Sequence, residues 1–123
     1  MVSTTDIGRR GEDAAADYLE SLGYVVFERN YRFERAEVDL VCFKATADGR
    51  RGEIVFVEVK ARSGSRFGRP EEAVDQAKIA NVRRAASAWL YEQKMESAPC
   101  RFDVVSVLFD QGDTLVEHFE RAF

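Results

Sequence analysis

Cysteine, proline and histidine are scarce in this chain, and each scarcity excludes something. Two cysteines, Cys42 and Cys100, are too few for a disulfide framework and lack the paired spacing of a metal site, so both read as reduced thiols in or near the core. Two prolines in 123 residues, beside a hydrophobic content of 46%, point to a folded globule and away from disorder. One histidine, His118, and no serine in a nucleophile-elbow setting leave histidine-based catalysis without its parts. His118 itself reads as a strand residue facing solvent or a sheet edge. Positive charge is not in excess either. A net charge of -4 argues against a protein that coats nucleic acid by bulk electrostatics, so any such site must be a local patch. No run approaches the length of a membrane span, and residues 1–10 hold no apolar stretch that could act as a signal peptide. A cytoplasmic protein with no membrane partner is expected.

What is present is one domain, residues 1–123, large enough for a single core. Ile7, Gly11, Ala14, Ala15, Tyr18 and Leu22 recur at helical spacing, with Gly23 as a C-cap. Strands are expected over 24–27, 36–43 and 54–61, the last two joined through the turn signal Asp48-Gly49. Residues 62–70 are basic and glycine-rich and read as a loop. A long helix then runs to about Tyr91, with Val74, Ala77, Val82, Ala85, Ala86, Trp89 and Leu90 on its buried side. It starts either with Pro70 as its first residue or with Asp75 as its cap. Strands over 101–109 and 114–119, joined at Asp110-Gln111-Gly112-Asp113, close the chain. The order α-β-β-β-α-β-β gives an α/β fold with a central mixed sheet flanked by helices.

The apolar run Ile54-Val55-Phe56-Val57 ends in Glu58-Val59-Lys60, where alternation puts Glu58 and Lys60 on one face. Burying such charges is expensive unless they are paired or hold a metal. If the preceding turn is centred on Asp48-Gly49, Asp39 stands opposite Glu58 and Glu37 opposite Lys60. Two facing carboxylates repel, and a shared cation removes that cost. Oxygen ligands suit Mg²⁺ or Mn²⁺, and Glu37 would orient the Lys60 ammonium toward the ion.

Each residue also has a plainer reading. An E-x-K triplet in a strand is common, and Glu12, Gln76 and Lys78, taken singly, read as solvated helix residues. Arg62, Arg66 and Arg69 read as a solvated loop. Yet residues 60–69 carry four positive side chains and no acid in a net-acidic chain, an asymmetry that points to an anionic ligand.

The segments Arg10-Gly11-Glu12, Asn30-Tyr31-Arg32, Ala36-Glu37-Val38-Asp39-Leu40-Val41, Phe56 through Arg62, Lys78, Arg101 through Val105 and Arg121-Ala122-Phe123 together resemble the YraN family of small bacterial proteins. That family is assigned to the restriction-endonuclease-like PD-(D/E)XK superfamily and is similar to archaeal Holliday-junction resolvases. The resemblance covers nearly the whole chain. It implies a restriction-endonuclease-like core and a Mg²⁺- or Mn²⁺-dependent DNA endonuclease that hydrolyses phosphodiester bonds, of branched or otherwise structured DNA. Asp39, Glu58 and the Val59 carbonyl would then be metal ligands, with Lys60 beside the attacking water and Glu12 the acidic residue borne on the first helix. Gln76 and Lys78 would line the cleft, and Arg62, Arg66 and Arg69 would hold the DNA backbone. Resolvase-like members act as symmetric dimers, which extends the expectation to a homodimer. In one departure from the family pattern, Ala36 stands where a glycine is usual. The alternatives are a nucleic-acid-binding module without catalysis and a protein-interaction factor that keeps a relic site.

Overall fold

The computed structural model of the chain describes residues 4–64 and 75–123. Its elements are α1 (Thr4–Ser21), β1 (Val25–Phe33), β2 (Ala36–Ala45), β3 (Gly52–Ser63), α2 (Gln76–Glu92), β4 (Cys100–Asp110) and β5 (Asp113–Phe119), in the expected order. The five strands form one mixed sheet in sequence order. β1, β2 and β3 meander antiparallel, β3 and β4 pair in parallel, and β5 returns antiparallel on β4. Parallel pairing needs a crossover, and α2 lies within it. Each helix covers only part of the sheet: α1 packs chiefly on β3, and α2 on β2 and β1.

Alternation along the strands builds two cores. Val41, Ile54 and Phe56 meet Val82, Ala85, Ala86 and Trp89 of α2, while Leu40, Cys42, Val55, Val57, Val105 and Val107 meet Ala15 and Leu19 of α1. β3 is therefore covered on both faces, which is why residues 54–57 read as a continuous apolar run. Each such side chain, fully buried, contributes about 1.5–3 kcal/mol. Burial also pushes the Cys42 thiol up to about 12, in keeping with an inert core cysteine.

The helix signals resolve cleanly. α1 ends in a Schellman arrangement, with Gly23 at φ 91°, its N–H donating to the Glu20 carbonyl and the Tyr24 N–H donating to that of Leu19. Asp75 caps α2 by accepting from the Lys78 N–H at 2.8 Å. Several expectations need correction. Leu22 is 45% exposed beyond the end of α1, and Ala16 and Leu19 take the buried positions instead. Ala77 is exposed in the first turn of α2, Leu90 is only half-buried, and Val74 and Pro70 lie outside the described residues. β1 continues to Phe33, because a register shift between Val26 and Glu28 and a positive φ of 53° at Asn30 break the alternation that would have marked it. β3 continues to Ser63, so Arg62 is a half-buried strand residue paired with Leu108 and not part of a loop.

His118 is the plainest correction. Its side chain is 6% exposed, with Nε2 2.7 Å from Asp103 Oδ2 and edge contacts to Tyr18 and Tyr24. Asp103 is fully buried and must be satisfied from within. Arg101, His118 and the Arg121 N–H surround it, hold its carboxyl below the usual range against the opposing effect of burial, and tie β5 and the C-terminal segment to β4. Arg101 also donates to the Tyr24 hydroxyl.

Candidate functional site

The β2–β3 hairpin keeps the register set by its Asp48-Gly49 turn, from Ala45↔Gly52 to Leu40↔Val57, and there the ladder stops. Beyond it, β2 stays with β1 as far as Ala36, and β3 stays with β4 as far as Ser63. The sheet forks. Asp39 and Glu58 are the first residues past the last rung, and Asp39 Oδ2 accepts the Val59 N–H at 2.7 Å in place of a ladder bond.

The fork is short of positive charge. The Glu58 side chain is 4% exposed; its Oε1 lies 3.1 Å from Lys78 Nζ, and its Oε2 is buried with no hydrogen-bond partner. Burial first, and the neighbouring Glu58 carboxylate second, push the Asp39 carboxyl up to about 7, against the opposing effects of the Val59 N–H and Lys78. Burial disfavours the Lys78 ammonium, yet the Glu58 carboxylate prevails and raises its pKa. Glu12 is raised as well, by burial and by the charges of Asp39 and Glu37, although Asn30 Nδ2 donates to it at 3.0 Å.

Three elements meet here. Gly11 permits the approach of α1, since a β-carbon at that position would run into the β-carbon of Ala61 on β3. That contact sets Glu12 beside the fork. From the other face, the first turn of α2 brings Lys78. Ile7, Gly8, Glu12, Asp39, Glu58, Lys60 and Lys78 line an open cavity of about 330 Å³, together with Val59 and Ala61.

A family profile described as Uncharacterised protein family UPF0102 matches residues 11–107, a span that includes Glu12, Asp39, Glu58, Lys60 and Lys78. This chain belongs to the UPF0102 family. A UPF0102 protein of Syntrophomonas wolfei is 42% identical over 118 residues, covering 96% of this chain and 97% of the relative. One from Bacteroides thetaiotaomicron is 39% identical over 123 residues, 100% of this chain and 96% of its own length. One from Symbiobacterium thermophilum is 48% identical over 101 residues, 82% and 80% of the two chains. The YraN resemblance thus holds at the level of this UPF0102 membership.

Of the residues singled out in the sequence, Glu12, Asp39, Glu58, Val59, Lys60 and Lys78 come together around one cavity. Glu37 does not orient Lys60; its carboxylate lies 2.9 Å from Arg32 Nε, and no acid among the described residues pairs with Lys60. Gln76 is exposed and does not line the cavity. Arg62 follows Lys60 on the same face of β3, while Arg66 and Arg69 lie outside the described residues. Among the described residues no three His, Cys, Asp or Glu side chains converge to hold a metal, and Glu12 stays with Asn30. What fits a cation is the pair Asp39 and Glu58, one with an orphaned buried oxygen and the other with a raised proton affinity. Mg²⁺ is held by one or two carboxylates plus waters, so two suffice. Lys78 as the direct partner of Glu58 is what sequence reasoning missed. The Asp75 cap fixes where α2 begins, but only the crossover over the fork shows what its first turn faces.

Proposed function

We propose that the fork is a divalent-cation site, Mg²⁺ or Mn²⁺, and that the protein is a PD-(D/E)XK-type DNA endonuclease hydrolysing phosphodiester bonds in branched or otherwise structured DNA. The reading rests above all on the unpartnered, buried Glu58 Oε2 beside Asp39. Leaving such an atom unsatisfied costs about 1–3 kcal/mol, a cost that a bound cation removes. Asp39 and Glu58 would hold the ion. In a strand the N–H and C=O of one residue point the same way, so the Val59 carbonyl faces the opening beside Asp39 and is the natural third oxygen.

A bound divalent ion supplies a Lewis acid to the phosphate and lowers the pKa of a coordinated water. Lys60, on the face of Glu58 and free of any acid among the described residues, orients that water and stabilises charge developing at phosphorus. Arg62, next along the same face, binds the DNA backbone and carries no sequence information, which favours recognition of shape. The test is a panel of branched and linear DNAs with and without Mg²⁺ or Mn²⁺. Metal-dependent cutting of the branched substrates is expected, with Asp39→Asn and Lys60→Ala each losing roughly 100-fold or more. No metal-dependent cutting of any DNA would overturn the reading.

The Lys78–Glu58 ion pair favours one other outcome, because it already offsets one carboxylate without a metal. In a binding module built that way, DNA affinity survives Glu58→Gln, falls steeply with salt and is indifferent to divalent ions.

A further inference from the structure

A second cavity, of about 410 Å³, adjoins the fork; both cavities are lined in part by Ile7, and β3 contributes Ala61 to one and Ser63 to the other. Those two residues lie roughly 7 Å apart along one face of the strand. The floor of this cavity is a row of directly paired positions, with Phe109 of β4 between Ser63 of β3 and Thr114 of β5. Paired positions share a face of a sheet, so the ring is bordered by a hydroxyl on either side. Arg10, one turn after Ile7 on α1, lays its guanidinium 4.4 Å from the centre of the Phe109 ring and is otherwise exposed. Gln111 and Gly112 of the β4–β5 turn, with Asp113 at the start of β5, complete the lining.

The chemistry of this lining is that of a nucleobase pocket more than of a phosphate site. An aromatic ring under a flat guanidinium is a stacking platform, since a guanidinium plane accepts an unpaired base on its outer face. Ser63, Thr114 and Gln111 offer both donors and acceptors for a base edge. Among the described residues Arg10 is the one cation in this lining and already lies over the ring, so the cavity offers a flat stacking face edged by hydroxyls and not the cluster of cations that a phosphate calls for. We propose that this cavity receives one unpaired base of a structured DNA, stacked on Arg10 beside the phosphate held at the fork. The inference rests on the DNA reading above and specifies what makes a substrate structured: an unstacked nucleotide close to the cut.

The test uses the full-length protein in Ca²⁺ and two duplexes of equal length, one fully paired and one carrying a single 2-aminopurine bulge. Arg10→Ala and Arg10→Lys, changes at an exposed position, are compared with the parent. The expected result is tighter binding of the bulged duplex, quenched 2-aminopurine fluorescence, and a loss of about tenfold in both variants on the bulged duplex alone. Equal losses on both duplexes in Arg10→Ala, with Arg10→Lys unaffected and a salt slope smaller by about one, would make Arg10 a phosphate contact and overturn the base pocket while leaving the nuclease reading intact. No preference for the bulge in the parent would overturn it as well. Absence of any DNA binding, together with absence of metal-dependent cutting, would overturn both.

Discussion

At the scale of single residues, the fork stores a cost that the rest of the core avoids. Asp39 has a pKa raised from about 3.8 to about 7, so the folded state binds more protons than the unfolded one between those values. Stability contributed at low pH is therefore lost as pH rises through this window, and the full cost is present above pH 7. In metal-free protein, Asp39→Asn should be stabilising at both pH 5 and pH 8, and by on the order of 1 kcal/mol or more extra at pH 8, read by urea denaturation at the two pH values. Cation binding needs the ionised carboxylate, so Mn²⁺ affinity should strengthen from pH 6 to pH 8 with proton release, read by calorimetry in buffers of different ionisation enthalpy. Asp39, Glu58 and Lys60 were legible in sequence because charge at the end of an apolar strand is conspicuous. The pairing of Lys78 with Glu58 and of Asn30 with Glu12 was not, since one side chain reaches its partner across a crossover and the other stands on a left-handed backbone residue inside β1.

At the scale of elements, the close approach of α1 to β3 places Glu12, and it depends on Gly11. Gly11→Val should push the helix off Ala61, destabilise by about 1–3 kcal/mol and lower any cleavage more than the stability loss explains, measured by denaturation and by activity on the same preparation. Asp75→Ala removes the cap that starts α2 and should cost about 1 kcal/mol. It should also loosen Lys78, whose own N–H the cap holds. The order of elements followed from periodicity, and the hairpin register followed from one turn dipeptide. The ends of strands were misjudged wherever a partner strand supplied the bonds: β1 through its irregular half and β3 past Ala61 to Ser63. Sequence period is a property of one segment, whereas a ladder belongs to two.

At the scale of the whole molecule, the forked sheet separates stability from function. The Arg101–Asp103–His118 cluster on the α1 face of β4 fastens β5 and the C-terminal segment, and Asp103→Ala should cost about 3–5 kcal/mol by leaving Arg101 without its buried carboxylate. The fork, by contrast, keeps a buried carboxylate oxygen of Glu58 without a partner. No helix of the described residues is long and apolar enough to cross a membrane, and in a chain of net charge -4 Lys60 and Arg62 put positive charge on one face of β3 next to the acidic fork. The central claim is that Asp39 and Glu58 share a divalent ion. It is tested most directly by growing crystals with Mn²⁺ and measuring anomalous scattering at the manganese edge. The expected result is one peak about 2.1–2.2 Å from an oxygen of each carboxylate, with Glu58 Oε2 among its ligands. Carboxylates that point apart with no peak between them, or a peak elsewhere on the surface, would contradict it.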